Sequence, residues 1–167
     1  VLELGDFTLV AGCEARAASD DMQKWEGFNC AVFLRRTMEN FRLHAKVHLV
    51  PFGEYIPLRQ QLPVLEKMLG HLIPNDFSAG ESLEPVQMDG MACEVIPLVC
   101  FEDTTGDLAR RFVRDRPQLI VNITNDNWFH ESSESAMHAL NARWRCVEAR
   151  LTFVAIDDQR RPRELPP

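Results

Sequence analysis

The chain has 167 residues, 46% of them hydrophobic and 26% charged, and a formal net charge of −7, the make-up of one globular domain with room for a single sizeable core. An acidic balance of this size leaves no broad basic face to neutralise phosphates and excludes an electrostatic nucleic-acid binder. No run approaches the roughly 20 apolar residues of a membrane span, and no basic-then-apolar leader opens the chain, so the sequence is expected to be soluble by itself and, starting at Val1, to be a fragment.

In chain order, DFTLVAGC (residues 6–13) and FNCAVFL (residues 28–34) are short apolar runs rich in β-formers, which predict two buried strands. After the polar turn RTMEN, FRLHAKVHLVP alternates and extends, forming a hairpin-like pair that ends near Lys46. Leu62, Leu65, Met68, Leu69 and Leu72 recur at helical spacing and predict a short amphipathic helix over residues 62–72, whose plainest role is to cover the core. EVIPLVC (residues 94–100) is a strand that stops at a cysteine and runs into FEDTTGD, a polar turn suited to a helix start. A helix through DLARRFVRD follows, ended by Pro117.

QLIVNIT (residues 118–124) predicts the next buried strand. NDNWFHESSES then leads to a helix, capped by Ser132 or Ser133, in which Met137, Leu140, Trp144, Val147 and Leu151 share one face. Strands alternating with helices, after a β-rich hairpin, predict an α/β layered fold with helices outside and sheet within. Residues 1–155 form the folded domain, and the Pro- and Arg-rich residues 156–167 are expected to be a disordered tail.

The five cysteines include no C-x-x-C pair and no histidines at zinc spacing, so neither a metal nor another cofactor is expected. Cys100 stands out by position. A cysteine at the end of a hydrophobic strand, at a sharp turn into a helix, lies where backbone N–H groups can hold both a thiolate and an oxyanion. For a lone cysteine the plainer reading is a packed strand residue like Cys13 or Cys30. Lysine is scarce, at positions 24, 46 and 67 only, and Lys46 enters an apolar run ahead of Glu54.

The ordered set KVHLVPFGEYIP, PLVCFED, NITNDNWF and HALNARWRCVEAR, across nearly the whole chain, resembles the nitrilase or carbon–nitrogen hydrolase superfamily, and most closely its apolipoprotein N-acyltransferase branch. The resemblance implies an αββα sandwich, incomplete here on its N-terminal side, carrying a Glu-Lys-Cys triad whose lysine and cysteine map onto Lys46 and Cys100. It makes Cys100 the nucleophile and Lys46 the stabiliser of the oxyanion, aided by the backbone N–H of Phe101. Glu54 resembles the accessory glutamate that holds the lysine, against the plainer reading of an exposed loop carboxylate, and Glu102 is expected to brace the turn. Nearness to Lys46 at a strand end is expected to expose the Cys100 thiol and lower its pKa.

The triad's general base, a glutamate, should lie upstream of the stretch resembling GDFTLVAG, where this chain has only VLEL. Family membrane helices and a Thr-Asn-Thr-Gly-like turn after LTFVA are also not found. The piece is therefore expected to be inactive alone. The implied reaction transfers an acyl chain from a phospholipid through a Cys100 thioester to the amine of a diacylglyceryl-cysteine apolipoprotein. The parent would sit in the bacterial inner membrane with this domain on the periplasmic side. The alternatives are a soluble nitrilase-like amidase, with water as acceptor, and an inactive pseudo-enzyme.

Overall fold

The computed structural model describes residues 7–18, 25–35, 37–73, 75–87, 90–124, 134–157 and 163–165. Seven strands and three α-helices are described: β1 (Thr8–Ala18), β2 (Trp25–Arg35), β3 (Thr37–Ala45), α1 (Pro63–Leu69), β4 (Glu94–Val99), α2 (Gly106–Phe112), β5 (Gln118–Thr124), α3 (Glu134–Ala149), β6 (Thr152–Asp157) and β7 (Arg163–Leu165). A 3-10 turn, Cys100–Thr104, joins β4 to α2. The proposed caps Ser132 and Ser133 lie outside the described residues.

The first sheet has the order β1-β2-β3 and is antiparallel throughout. The β1–β2 pairing runs from Thr8↔Arg35 to Ala18↔Trp25, well past the apolar runs that mark the two strands in the sequence. The backbone ladder carries it through Glu14, Arg16 and Glu26, because main-chain hydrogen bonding does not require apolar side chains. The second sheet has the order β4-β5-β6-β7, with β4, β5 and β6 parallel and β7 antiparallel to β6. β7 falls inside residues 156–167, whose composition carries no strand signal; the free edge of β6 supplies its partner.

Ala31 and Phe33 of β2 meet Val95 and Val99 of β4 and Val121 and Ile123 of β5, forming the interior between the sheets. The other face of β4 and β5 places Ile96, Leu98 and Ile120 against Leu108, Ala109 and Phe112 of α2 and Cys146 of α3. Every residue of β4 is buried, as expected of a parallel strand covered on both sides. Sheet, sheet and helices thus form three successive layers of the αββα arrangement.

Two helices differ from their sequence patterns. None of α1 is buried; Val64, Met68 and the following Leu72 are exposed, so this helix does not cover the core. On α3 the apolar face of Met137, Leu140, Trp144 and Val147 is exposed, while His138, Arg145 and Cys146 are buried. Helical periodicity identified the helix, but the face that packs is chosen by specific partners on the 3-10 turn and α2.

Candidate active site

Cys100 follows the last residue of β4 with φ +54. That left-handed backbone costs a non-glycine residue ~1–2 kcal/mol, and here it turns the chain sharply from the strand into the 3-10 turn. The Cys100 sulfur consequently meets the backbone N–H of Phe101 and the hydroxyl of Thr124. Thr124 arrives through sheet register: β4 and β5 are parallel with Val99 beside Ile123, so the next residues of each strand emerge together.

Burial pushes the Cys100 thiol above the usual cysteine range. The Lys46 ammonium, the Thr124 hydroxyl and the Phe101 N–H pull it down without overcoming that burial, and the Glu54 carboxylate adds to the rise. This corrects the expectation of an exposed thiol with a lowered pKa: Cys100 is half-buried, and desolvation outweighs one nearby cation.

Lys46 lies one residue beyond β3 and is 1% exposed. Its backbone N–H donates to the Asn29 carbonyl at 2.8 Å and its own carbonyl accepts from Gly80 N–H at 2.7 Å. Any Cβ at Gly80 would collide with the Ala45 carbonyl, so this clamp depends on glycine. The Lys46 ammonium donates to Glu54 Oε2 at 2.7 Å. Asn29 Nδ2 donates to Glu54 Oε1 at 2.9 Å and Val50 N–H to Glu54 Oε2 at 2.8 Å. Both Glu54 oxygens are therefore engaged, Oε2 by the Lys46 ammonium and the Val50 N–H and Oε1 by Asn29.

Glu102 is 1% exposed and joins the two halves of the site. Its Oε1 accepts from Val47 N–H at 2.8 Å and His48 N–H at 2.9 Å, and its Oε2 from Val99 N–H at 2.8 Å. One carboxylate therefore ties the segment after Lys46 to the strand end before Cys100. Burial still raises its pKa, against the pull of those three donors and of Lys46.

Beside it, Asp103 Oδ2 lies 2.9 Å from His138 Nδ1 of α3 and accepts from Asn122 Nδ2 at 3.1 Å. Asn122 Nδ2 also lies 3.3 Å from the Cys100 carbonyl. The left-handed turn is thus braced by neighbouring β5 and by α3.

Lys46, Glu54 and Cys100 all line one cavity of about 1180 Å³, together with Asn29, Thr124, Trp25, Leu72 and Phe77. Phe101 and Glu102 are not among its walls; the Phe101 ring is exposed and meets the His138 ring edge-on at 6.2 Å. Asp103, Asn122, Thr124 and His138 fall inside the quoted motifs and Asn29 does not, but none of the five was given a role from the sequence. Asn29, Asn122 and Thr124 did carry a signal, as polar residues inside the otherwise apolar runs FNCAVFL and QLIVNIT. Buried polar residues there must find partners.

The sequence profile of the carbon–nitrogen hydrolase family matches residues 5–156. A protein named apolipoprotein N-acyltransferase from Geobacter metallireducens is 40% identical over 109 residues, which are 65% of this chain and 20% of that protein. Its namesake from Nitrosomonas europaea is 32% identical over 142 residues, 84% of this chain and 26% of that protein. The chain therefore spans only about a fifth to a quarter of the curated relatives it matches.

Among solved structures, a carbon–nitrogen hydrolase from Helicobacter pylori G27 aligns with a TM-score of 0.63 at 16% identity, covering 91% of this chain and 46% of that one. An amidase from Nesterenkonia sp. aligns at 0.59 with 17% identity, covering 91% and 47%. These likenesses establish a shared nitrilase-like fold. With its sheet-on-sheet core, and with a family profile that runs from before β1 into β6, the chain belongs to the carbon–nitrogen hydrolase family.

Proposed function

We propose that this chain is the catalytic part of an apolipoprotein N-acyltransferase, working through Cys100 and Lys46. The observation that carries the reading is the gathering of Cys100, Lys46 and Glu54 at one cavity, in a chain 40% identical over its matched part to a protein of that name. Cys100 loses its proton to a general base, a glutamate in the family pattern this chain resembles. The thiolate attacks a phospholipid ester carbonyl, and the oxyanion is held by Lys46 and the Phe101 N–H. Collapse breaks the ester bond, releases the lysolipid as an alcohol after proton return, and leaves a thioester on Cys100. The free amine of a diacylglyceryl-cysteine apolipoprotein then attacks the thioester, takes the acyl chain and regenerates the thiol.

Lysine suits this role because its ammonium is a compact point charge, whereas the planar guanidinium of arginine is aimed at bidentate acceptors. Membrane attachment belongs to other parts of the parent protein, with this domain on the periplasmic side of the inner membrane; among the described residues no helix is long and apolar enough to cross a membrane. The exposed Val64, Met68 and Leu72 give α1 and the segment after it the character of a lid that meets acyl chains at the cavity mouth.

The test supplies phospholipid to the full-length parent, then either a diacylglyceryl peptide with a free amine or buffer. Acyl transfer to the peptide supports the reading. Rapid release of the acyl group to water, with none on the peptide, identifies a hydrolase, and no turnover with ester or amide donors identifies an inactive module.

A further inference from the structure

Away from Cys100, the first sheet brings a pair of thiols together. Cys13 of β1 and Cys30 of β2 are direct register partners in the antiparallel ladder. Opposed residues on antiparallel strands point to the same face with Cα atoms ~4.5–5.5 Å apart, inside the ~4.4–6.8 Å window that a disulfide spans. Ala31 and Phe33 face the interior between the sheets, so alternation puts Cys30, and with it Cys13, on the opposite face. Both cysteines are reduced in this structure.

The thiols sense each other: burial first, and then the charge of Cys13, push Cys30 up to about 11. They are unequally accessible, Cys30 being 2% exposed, while Cys13 is half-buried and borders the cavity.

We propose that Cys13 and Cys30 form a reversible cross-strand disulfide site, closed by exchange with a small-molecule or protein disulfide, which staples β1 to β2 beside the cavity. Cys13, the accessible thiol, attacks the oxidant's disulfide as a thiolate, forming a mixed disulfide and expelling one thiolate that takes up a proton. Cys30, once deprotonated, attacks the Cys13 sulfur and expels the second thiol. Two protein thiols are oxidised and one external disulfide is reduced to two thiols. The bridge closes a loop over residues 14–29, which include Asn29, the donor to Glu54 Oε1.

The test treats the native chain, carrying Cys100→Ala so that the cavity's other thiol does not consume reagent, with excess oxidised glutathione at mildly alkaline pH. Acid quenching and non-reducing proteolysis with mass spectrometry follow. The expected result is a peptide pair joined through Cys13 and Cys30, a Tm raised by ~6–12 °C, and reversal of both by dithiothreitol. Adding Cys30→Ser should trap glutathione on Cys13. Single adducts on Cys13 or Cys93 with no bridge, or a bridge seen only after denaturation in urea, overturn the site; a bridge that leaves Tm unchanged overturns the stapling. None of these outcomes depends on the acyl-transfer reading.

Discussion

Replacing Glu102 by Gln tests how the site is held together. The substitution keeps size and shape and removes one acceptor oxygen. With the amide oxygen at the Oε1 position, the bonds from Val47 and His48 N–H survive, but the amide nitrogen then faces the Val99 N–H, donor against donor; the flipped amide loses two bonds instead of one. Leaving one buried donor unsatisfied costs about 1–3 kcal/mol. At ~2–4 °C per kcal/mol for a chain of this size, Tm should fall by roughly 2–12 °C. Thermal melts followed by circular dichroism measure it, with the exposed Glu81→Gln as a control expected to change nothing. A Glu102→Gln Tm within about 1 °C of wild type would refute the claim that this carboxylate joins the Lys46 segment to the Cys100 strand end.

The pH dependence follows from the same group. Since the folded Glu102 carboxyl titrates above its unfolded value, ionisation costs more in the fold, and wild-type stability declines as pH rises from the unfolded carboxylate pKa through the raised one; urea titrations at several pH values should show this slope reduced in Glu102→Gln. Cys100→Gly should be more stable than Cys100→Ala by ~1 kcal/mol, because alanine retains a Cβ at φ +54 and glycine does not; equal stabilities would argue against a strained turn. Alkylation of Cys100 should climb with pH to a midpoint above that of an ordinary cysteine, and a midpoint near neutrality would contradict the dominance of burial. In the full-length parent, Lys46→Ala should lower acyl transfer by ~10²–10³-fold, as for loss of one oxyanion-hole donor, with little rescue by Lys46→Arg; full activity of Lys46→Ala would remove Lys46 from the chemistry, and full activity of Lys46→Arg would refute the need for a compact ammonium.

The strand ending at Cys100 was legible in the sequence because a parallel strand buried on both faces reads as a continuous apolar run, and a cysteine followed by FEDTTGD marks where it must turn. Lys46 and Glu54 were legible only as a motif; their ion pair depends on Asn29 and Val50, which no local pattern ties to them. The direction of the Cys100 titration was not legible, since it is a balance between burial and a single charge that exists only in three dimensions. Thr124 reaches the sulfur through inter-strand register, a long-range property. The inverted packing of α3 has a similar origin, because His138 and Cys146 are drawn inward by Asp103 and the α2 core while the apolar stripe of Met137, Leu140 and Trp144 faces out.

The most direct test of the central claim is to locate the acyl group itself. The full-length parent is incubated with phospholipid, quenched in acid and digested, and the acylated peptide is identified by mass spectrometry. The account predicts one acyl chain on Cys100 as a hydroxylamine-labile thioester, absent from Cys100→Ala and discharged on addition of an amine-bearing diacylglyceryl peptide. An acyl group on another residue, or an unchanged acyl-enzyme yield in Cys100→Ala, would contradict it.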